Sequence, residues 1–478
     1  MNQPKQLNKI VKRETNYADW YTSVINAAKL ITYGDIKGTL IYQPRGWAIW
    51  QNIQIQLDKL FATQGIVNVQ LPSFIKSSQF HKEKAHIKGF APELFLVTQK
   101  GTETLTEPYV IRPTSEVSFC NYFKQIITSY ADLPLKYNQW CNVYRVEKNT
   151  RPFLRNSEFY WQELHTIHAS ALQAQQQAMT LAKLYKQFIN HHLGIDVLMG
   201  EKTVGERFAG AENTYTLEAF LQDGQALQCA TAHYLGQNFA KAYDIQFQSA
   251  DNEYVYPYQT SAGLSTRLIG AIIMSHADDK GLVLPFTIAP CQIMIIPINH
   301  QDVTVKDAIK ILLEDLQQYR VQVIDNDYGF GYKMAESEVQ GVPLTIVVGV
   351  KDLAQQQVTV VSRINGHKQL VQLAILKQYI TQSIQAYQEE LFANSHKRLS
   401  AAIVTVDNLA TFKKVINNHQ IALAPWSGDE LDEKKLQELT QATPRCIQQI
   451  IGTKTNNNQK CFFTDKPAKM MVYFARAY

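Results

Sequence analysis

The chain has 478 residues, of which 45% are hydrophobic and 19% charged, a composition typical of a globular protein with roughly two to four domains. The excess of 47 Lys and Arg over 42 Asp and Glu gives a charge of +5, which permits a nucleic-acid partner without requiring one. The six cysteines form no close pair, and prolines interrupt the most apolar run, residues 282–298; the sequence thus argues against a disulfide or zinc framework and a membrane span, and favours a reducing, cytoplasmic setting.

Hydrophobic periodicity predicts helices and strands in the first half of the chain. Apolar residues recur about one helical turn apart over residues 47–61, and residues 67–71 then have the pattern of a strand. A long glutamine-rich helix is predicted over residues 169–191, followed by strands as far as Gln228. Residues 263–275 are predicted to form a helix with small residues that let it lie close to a sheet.

Strands and helices alternate in the second half, which is typical of α/β domains with crossover connections. The predicted elements are a strand at 292–298, a helix at 305–319, a strand at 321–324, a helix at 333–339, a strand at 344–350 and a closing helix at 370–392. Further on, the predictions are a strand at 403–406, a helix, a strand at 421–424, a helix from Asp429 and a β-rich end at 469–478.

The segment VYRVEKNTRPFLRNSEFYWQE, residues 143–163, combines cations, carboxylates and aromatic rings around a predicted hairpin loop. Two groups each line one face of a strand: Arg145 with Glu147 before the loop, and Phe159, Trp161 and Glu163 after it. Such a surface offers cations to phosphate, a carboxylate to an amine and an aromatic plane to a base. Arginine suits phosphate because its planar fork makes two charge-assisted hydrogen bonds. The alternative is a surface hairpin whose arginines serve solubility.

This segment resembles motif 2 of class II aminoacyl-tRNA synthetases, and in detail that of prolyl-tRNA synthetases of the archaeal and eukaryotic type. Other stretches similar to that family are RGWAIWQNIQ (45–54), RPTSE (112–116), FAGAENTYTLEA (208–219), TAHYLGQNF (231–239) and GLSTRLIGAIIM (263–274). The likeness is collinear over almost the whole chain. It implies an α+β catalytic domain with an antiparallel sheet flanked by helices (1–288), an α/β anticodon-binding domain (289–394) and a small α/β C-terminal domain (395–478).

The resemblance also implies an activity. The expected protein is a homodimer that activates L-proline with ATP and Mg²⁺ and transfers it to the 3′-terminal adenosine of tRNA. The helix at 47–61 and the strand at 67–71 would be motif 1, part of the dimer interface, although a helix packed on its own sheet fits the pattern equally well. Another class IIa synthetase, such as a threonyl or seryl enzyme, and a non-catalytic tRNA-binding paralogue are alternative hypotheses. A threonyl enzyme would carry zinc ligands in its pocket, and a pure RNA binder would have no need of an ATP clamp.

By this resemblance, Arg145 and Arg267 are the candidate catalytic residues. Arg145 would bridge the α-phosphate and the substrate carboxylate, and Arg267 would cover the adenine or hold the γ-phosphate. The other candidates for the nucleotide are Glu147 for the adenine amino group, Phe159 beneath the base, Arg155 for the terminal phosphates with Arg151 as a weaker candidate, and Gln228 and Thr231 beside the phosphates. Glu218 and Gln228 are candidate magnesium ligands, because magnesium prefers a few oxygen ligands plus phosphate and water.

A proline pocket requires an anion for the amine and a small apolar slot. The candidates are Thr114, Glu116 and Glu163 for the amine, Arg145 for the carboxylate, Trp161, Phe208 and His233 as walls, and Ser261 as the floor. Ala262 departs from the family, which commonly has tryptophan there, and the change would loosen either the pocket or the adenine site. Core sequence fills residues 163–261, so no inserted editing domain is expected. Discrimination by one methylene is limited to ~1–3 kcal/mol, so alanine or cysteine could be mischarged.

The segment GVPLTIVVGVKDL (341–353) is the part most similar to the anticodon-binding domain of class IIa synthetases. Lys333, Glu338, Lys351 and Arg363 are candidates for contacts with anticodon bases or backbone. A solvated charged face is an equally good explanation for each of them.

The C-terminal domain of many relatives binds zinc through four cysteines. The corresponding positions here are Ser427, Asp432, Cys461 and Thr464, and a single cysteine cannot form the usual thiolate site, so no structural zinc is expected. Ser427 or Asp429 is expected to cap the next helix. In relatives the terminal carboxylate approaches the active site, so Tyr478 is expected to order the catalytic domain, with a frayed tail as the alternative.

Overall fold

The computed structural model describes residues 9–80, 82, 94–450 and 459–478. The helices are α1 Tyr17–Ala27, α2 Pro44–Ala62, α3 Ser77–Phe80, α4 Glu116–Ile126, α5 Ala171–Leu193, α6 Asn238–Ala242, α7 Arg267–His276, α8 Val303–Asp315, α9 Phe330–Gln340, α10 Val350–Leu353, α11 Leu376–Ala402, α12 Leu409–Asn417 and α13 Glu430–Thr440. The strands are β1 Ile31–Tyr33, β2 Leu40–Tyr42, β3 Val67–Asn68, β4 Phe74–Lys76, β5 Phe95–Lys100, β6 Glu103–Ile111, β7 Leu135–Tyr144, β8 Glu158–His168, β9 Val197–Glu201, β10 Asn213–Phe220, β11 Ala226–Gly236, β12 Phe247–Gln248, β13 Tyr254–Val255, β14 Tyr258–Ser265, β15 Ile293–Pro297, β16 Val321–Val323, β17 Leu344–Val348, β18 Gln357–Ser362, β19 Lys368–Gln372, β20 Ile403–Thr405, β21 Ile421–Trp426, β22 Thr443–Ile450 and β23 Met470–Ala475.

One large sheet organises the molecule. Among the described residues it contains eleven strands in the order β20-β21-β23-β22-β9-β10-β11-β14-β8-β7-β3. Its centre, from β9 to β7, is antiparallel throughout. Helix α5 covers one face of this centre, and its Leu181, Tyr185 and Phe188 join Leu217 and Leu264 of the strands in the main hydrophobic core. The predicted antiparallel sheet flanked by helices is therefore confirmed, and its other face is left for a pocket.

A second sheet forms the core of the following α/β region. Its order is β16-β15-β17-β18-β19; β15 is parallel to β16 and β17, and the remaining pairs are antiparallel. The helix predicted at 370–392 is corrected here, because residues 368–372 form the edge strand β19 and the helix runs over Leu376–Ala402. Strand β18 was not predicted from the sequence, because long-range pairing with β17, rather than local preference, decides its conformation.

The C-terminal strands extend the main sheet. Strand β22 pairs with β9 at Ile447 and Glu201, so β20–β23 are hydrogen-bonded to the same sheet as motif 2. Asp429 caps α13, as one of the two expected residues, and its carboxylate accepts from the amides of Leu431 and Asp432 at 2.9 and 3.1 Å. None of the helices in the described part of the chain is long and apolar enough to cross a bilayer.

The predicted helix at 263–275 begins later than expected. Residues 263–265 belong to strand β14, and α7 starts at Arg267. The predicted strand at 67–71 is likewise shorter, with β3 limited to Val67–Asn68. Both corrections arise because apolar runs do not locate element boundaries by themselves.

Candidate active site

A pocket of about 220 Å³, open to solvent, lies on the free face of the main sheet where β8, β10, β11 and β14 meet. Arg145 and Arg267 both line this pocket, although 121 residues lie between them in the sequence. Cross-strand pairing explains which side chains share the face: Trp161 lies opposite Ser265, Glu163 opposite Gly263, and His233 opposite Ser261. The sheet thus brings motif 2, motif 3 and the strands between them to one site.

Arg145 is held in the pocket by a hydrogen bond to a backbone carbonyl and by contacts with two aromatic rings. Its Nε donates to the carbonyl oxygen of Pro113 at 3.1 Å. The guanidinium carbon lies 5.5 Å from the ring centre of Phe159 and 5.3 Å from that of Trp161. Cation–π attraction of about 0.5–1 kcal/mol per ring at such sites helps to fix the guanidinium in place.

Arg267 supplies a second guanidinium from the start of α7. Its Nε donates to the carbonyl oxygen of Leu154 at 3.2 Å. Burial lowers the pKa of Arg267, and repulsion from Arg145 and Arg155 lowers it further. The three guanidinium groups repel one another, and a bound anion would relieve that repulsion.

The loop of motif 2 divides its charged residues between the pocket mouth and the protein interior. Arg155 lies 3.9 Å from the carboxylate of Glu147, and neither residue belongs to the pocket lining. Arg151 stacks against Tyr21 and Tyr478, with 5.0 Å from its guanidinium carbon to each ring centre. This packing makes Arg151 a structural residue of the loop and disfavours its weaker nucleotide assignment.

The end of the chain is tied to the catalytic sheet. The amide of Tyr478 donates to the carbonyl oxygen of Ala226 at 3.1 Å, and its hydroxyl donates to Asp223. Together with the Arg151 stack, these contacts connect the terminal residue to the motif 2 loop, so the tail is not frayed.

Glu163 is the centre of a buried hydrogen-bond network beside the pocket. Its carboxylate accepts from the amide of Ser115 at 2.6 Å, the hydroxyl of Thr114 at 3.0 Å and the side-chain amide of Gln139 at 3.1 Å. Burial by itself would raise the pKa of Glu163, but hydrogen bonds from His165 and Ser115 outweigh it and bring the pKa to about 2. The network positions Glu116, which lines the pocket, through the hydroxyl of Thr114.

The remaining walls of the slot are aromatic and neutral. Phe208 stacks on His233 with 4.5 Å between ring centres, and His233 Nδ1 shares a hydrogen bond of 3.0 Å with Thr214. Burial lowers the pKa of His233 to about 3, so the ring is neutral at physiological pH. The hydroxyl of Ser261 is buried, faces the same slot and has no hydrogen-bond partner among the described residues, which fits a polar contact to a ligand.

Gln228 and Thr231 both line the pocket, whereas Glu218 does not. The Glu218 carboxylate is 1% exposed and accepts from Lys202 at 3.0 Å and from Arg445 at 3.2 Å. Two cations already more than neutralise its charge, so the predicted magnesium role of Glu218 is disfavoured. A lone carboxylate on a strand gives no indication of such partners in the sequence.

Ala262 is among the residues that line the pocket, on the part of β14 that also carries Ser261 and Gly263. Its side chain alternates to the opposite face of β14 from Ser261 and belongs to the main hydrophobic core, opposite Ala232 and Leu164. The expectation that the missing family tryptophan loosens either the pocket or the adenine site therefore stays a prediction.

Sequence reasoning missed two cations of the pocket, Lys202 and Arg207. The Nε of Arg207 is buried without a hydrogen-bond partner among the described residues. Both lie on the segment after β9, which carries no periodic pattern; the nearby FAGAENTYTLEA stretch was the only indication that this region contributes to the site.

Comparisons with known proteins agree along the chain. The tRNA synthetase class II core domain (G, H, P, S and T) matches residues 95–276, the anticodon binding domain residues 292–383, and the prolyl-tRNA synthetase C-terminal domain residues 409–478. A proline–tRNA ligase of Ureaplasma urealyticum is 50% identical over 99% of this chain and 100% of that protein, and one of Malacoplasma penetrans is 48% identical over the same shares. The chain belongs to the proline–tRNA ligase family.

A solved structure supports the same assignment. Prolyl-tRNA synthetase from Cryptosporidium parvum, in complex with halofuginone and AMPPNP, superposes with a TM-score of 0.93 at 34% identity, covering 99% of this chain and 98% of that one. The activity of this chain is therefore that of a proline–tRNA ligase, as expected from the motifs. The two sequence relatives are bacterial, so they do not support the finer expectation of an archaeal or eukaryotic subtype.

The anticodon candidates of this ligase do not form one exposed face. Arg363 is 7% exposed and makes a two-pronged ion pair with Asp278 at 2.6 and 2.8 Å, which joins the α/β region to the end of α7. Lys333 is 3% exposed, and burial lowers its pKa. Glu338 pairs with Lys280 at 3.0 Å, while Lys351 is exposed. Direct base contacts are disfavoured for Arg363 and Lys333, because one is paired and both are buried.

Among the described residues of the ligase, Glu116, Glu163 and His165 are the grouping of His, Cys, Asp and Glu close enough to share a metal ion. Their ligand atoms already take part in the Glu163 network, so we interpret the group as a hydrogen-bond centre. At the C-terminal end, Asp432 accepts from Lys466 at 2.6 Å, and Asp429 accepts from the same ammonium at 2.7 Å.

Proposed function

We propose that this pocket performs both steps of the ligase reaction. A proline carboxylate oxygen attacks the α-phosphorus of ATP; the new oxygen–phosphorus bond gives prolyl-adenylate, and pyrophosphate leaves. A hydroxyl of the tRNA terminal adenosine then attacks the proline carbonyl carbon, and AMP leaves. The observation that carries the proposal is the position of Arg145 and Arg267 in one pocket, where guanidinium groups can stabilise the charge that grows on phosphate oxygens.

The nucleotide is proposed to lie between the motif 2 and motif 3 arginines. Phe159 would stack on the adenine and Glu147 would accept from its amino group, while Arg155 at the mouth would hold the terminal phosphates. Gln228 and Thr231 would face the ribose–phosphate part of the nucleotide from β11. Magnesium would enter bound to ATP, and the side-chain oxygen of Gln228 is the remaining candidate of the two predicted protein ligands.

Proline is proposed to occupy the slot beside the Glu163 network. Glu116, with Thr114 and Glu163 behind it, would meet the cationic amine, and Arg145 the carboxylate. Trp161, Phe208 and neutral His233 would form rigid walls, with the unpartnered hydroxyl of Ser261 at the floor. A compact slot of this kind selects mainly by shape, so alanine and cysteine remain poor but feasible substrates.

The larger organisation is also a proposal. Domains are proposed at 1–288, 289–394 and 395–478, without an editing insertion, which is the arrangement of the archaeal and eukaryotic type. The tRNA anticodon would meet the second domain, with Lys351 and Glu338 as the remaining candidates. A homodimer is proposed because β3, at the edge of the main sheet, exposes Val67 at 55%, and α2 exposes Ile55 at 50%. A cytoplasmic location is proposed because the relatives are tRNA ligases, whose substrate tRNA is found there.

Proline-dependent pyrophosphate exchange tests the activity. The purified chain is expected to exchange labelled pyrophosphate into ATP with proline, and only weakly with alanine or cysteine. Exchange with threonine or serine instead would favour another class IIa synthetase, and exchange with no amino acid would favour a non-catalytic paralogue.

The C-terminal domain is proposed to fold without zinc, because Lys466 supplies a positive charge to Asp429 and Asp432. Elemental analysis of the purified protein is expected to find much less than one zinc per chain. Lys466→Ala should lower the melting temperature, since it leaves two carboxylates without their shared cation, and added zinc should not restore it. One tightly held zinc ion per chain would contradict the proposal.

A further inference from the structure

A cluster of three charged side chains is buried in the wall of the pocket. Lys202 Nζ lies 3.0 Å from Glu218 Oε1, and Arg445 Nε lies 3.2 Å from Glu218 Oε2. The three residues are 2%, 1% and 7% exposed, respectively. Lys202 is the member of the cluster that lines the pocket, so it is the one next to the space for a substrate.

The cluster joins two distant parts of the chain. Lys202 and Glu218 belong to the catalytic sheet, whereas Arg445 comes from β22 near the C-terminus. The two parts are in close contact: a Cβ at Gly200 would lie 2.3 Å from the carbonyl oxygen of Ile447, so glycine is needed there. The hydroxyl of Thr203, the residue after Lys202, donates to Glu433 of α13 at 3.2 Å.

The charges of the cluster do not balance. Two cations face one carboxylate, so these three side chains together carry one net positive charge; Glu206, a carboxylate on the pocket wall, also acts on Arg445. Glu218 lies directly opposite Gln228, which lines the pocket, and its carboxylate is among the charges that act on Arg267. Without Arg445, Lys202 would be neutralised one-to-one by Glu218, and the pocket wall would be less positive by one charge. A buried ion cluster adds little stability compared with apolar packing, so stability alone explains it poorly.

We propose that Arg445 is a positioning residue for the active site: it neutralises Glu218 and thereby leaves the charge of the Lys202 ammonium to a phosphate oxygen of a bound substrate. The phosphate belongs either to ATP or to the 3′ terminus of the tRNA. The inference rests on the proposed function, and it gives the C-terminal region a part in catalysis although it contributes no pocket-lining residue among those described.

The test changes the net charge of the Lys202, Glu218 and Arg445 cluster by mutation and measures the rates of pyrophosphate exchange and of transfer to tRNA. Arg445→Met removes one cation and is expected to lower kcat for pyrophosphate exchange about tenfold, or to lower transfer to tRNA alone if the phosphate is that of the RNA. In both cases KM for proline should change less than twofold. Arg445→Met combined with Glu218→Gln restores the single net positive charge and should recover most of the lost rate. Lys202→Gln should show the same loss as Arg445→Met, which keeps the test valid if Arg445→Met does not fold.

The control is Arg476→Met. Arg476 belongs to the same C-terminal region, donates to Asn417 at 3.0 Å and does not line the pocket, so this variant should retain full activity. A purely structural role predicts that the double variant is less active than Arg445→Met and follows its melting temperature. That result, or normal exchange and transfer in both Arg445→Met and Lys202→Gln, would overturn the inference. A wild-type chain without proline-dependent exchange would instead refute the proposed function.

Discussion

Arg145→Ala is expected to reduce proline-dependent pyrophosphate exchange by about 10²–10³-fold, because it removes a fixed cation from the phosphate whose charge grows in the transition state. Melting temperature and oligomeric state should be nearly unchanged, since the side chain lines a pocket open to solvent and is not part of the hydrophobic core. The exchange rate of Arg145→Lys should lie between those of the wild type and Arg145→Ala, because lysine keeps the charge and loses the two-pronged fork. Initial rates at saturating ATP and proline measure the effect.

The matched control for this variant is Arg320→Ala. Arg320 is also half-buried and also donates through Nε to a backbone carbonyl, that of Ala289 at 2.9 Å, but it lies outside the pocket lining. Its exchange rate should stay within about twofold of wild type. Near-normal exchange in Arg145→Ala would remove this residue from the catalytic site.

Glu163→Gln is expected to have the largest effect on stability and a large effect on proline use. In the wild type, Ser115, Thr114 and Gln139 donate to the two carboxylate oxygens of Glu163. Glutamine replaces one of these oxygens by an NH₂ group, which is itself a donor, so the three hydrogen bonds cannot all be kept. The free energy of unfolding should fall by about 3 kcal/mol. KM for proline should rise, because the network positions Glu116 beside the slot. Urea denaturation and exchange kinetics measure the two effects.

The stability difference between the wild type and Glu163→Gln should depend on pH in a definite direction. The pKa of Glu163 lies at about 2 in the folded chain, below its ordinary value of 4.5. Its stabilisation is therefore complete above pH 4.5 and disappears as the pH falls toward 2, so the gap between wild type and variant should narrow in that range. The control is Glu158→Gln, which is half-buried on the other face of the same strand and accepts from Asn142 at 2.8 Å. A gap that stays constant down to pH 3 would contradict the assigned charge.

Local chemistry explains what could be predicted from the sequence. The parity of Phe159, Trp161 and Glu163 placed these side chains on one strand face, because alternation is a property of any β-strand. The capping carboxylate of Asp429 needed only its own helix. The order of the motifs was sufficient to indicate the antiparallel sheet and the activity of the family.

Long-range pairing explains the errors. In the sequence, Glu218 was a candidate metal ligand; in the structure, Arg445, which is far away along the chain, forms an ion pair with it. Arg363 had the character of an RNA contact until Asp278 took its guanidinium. A charged side chain shows its type in the sequence, but its partner depends on which strands and helices pack together.

The sequence by itself determined the chemical groups of this protein, the faces they share on each strand, and the family to which they belong. The tertiary structure alone decided which of those groups remain available to a substrate and which are used up by one another, as Lys202, Glu218 and Arg445 illustrate. The physical reason is range: strand alternation and helix capping act over a few residues, whereas burial and charge neutralisation depend on segments that meet only when the whole chain has folded.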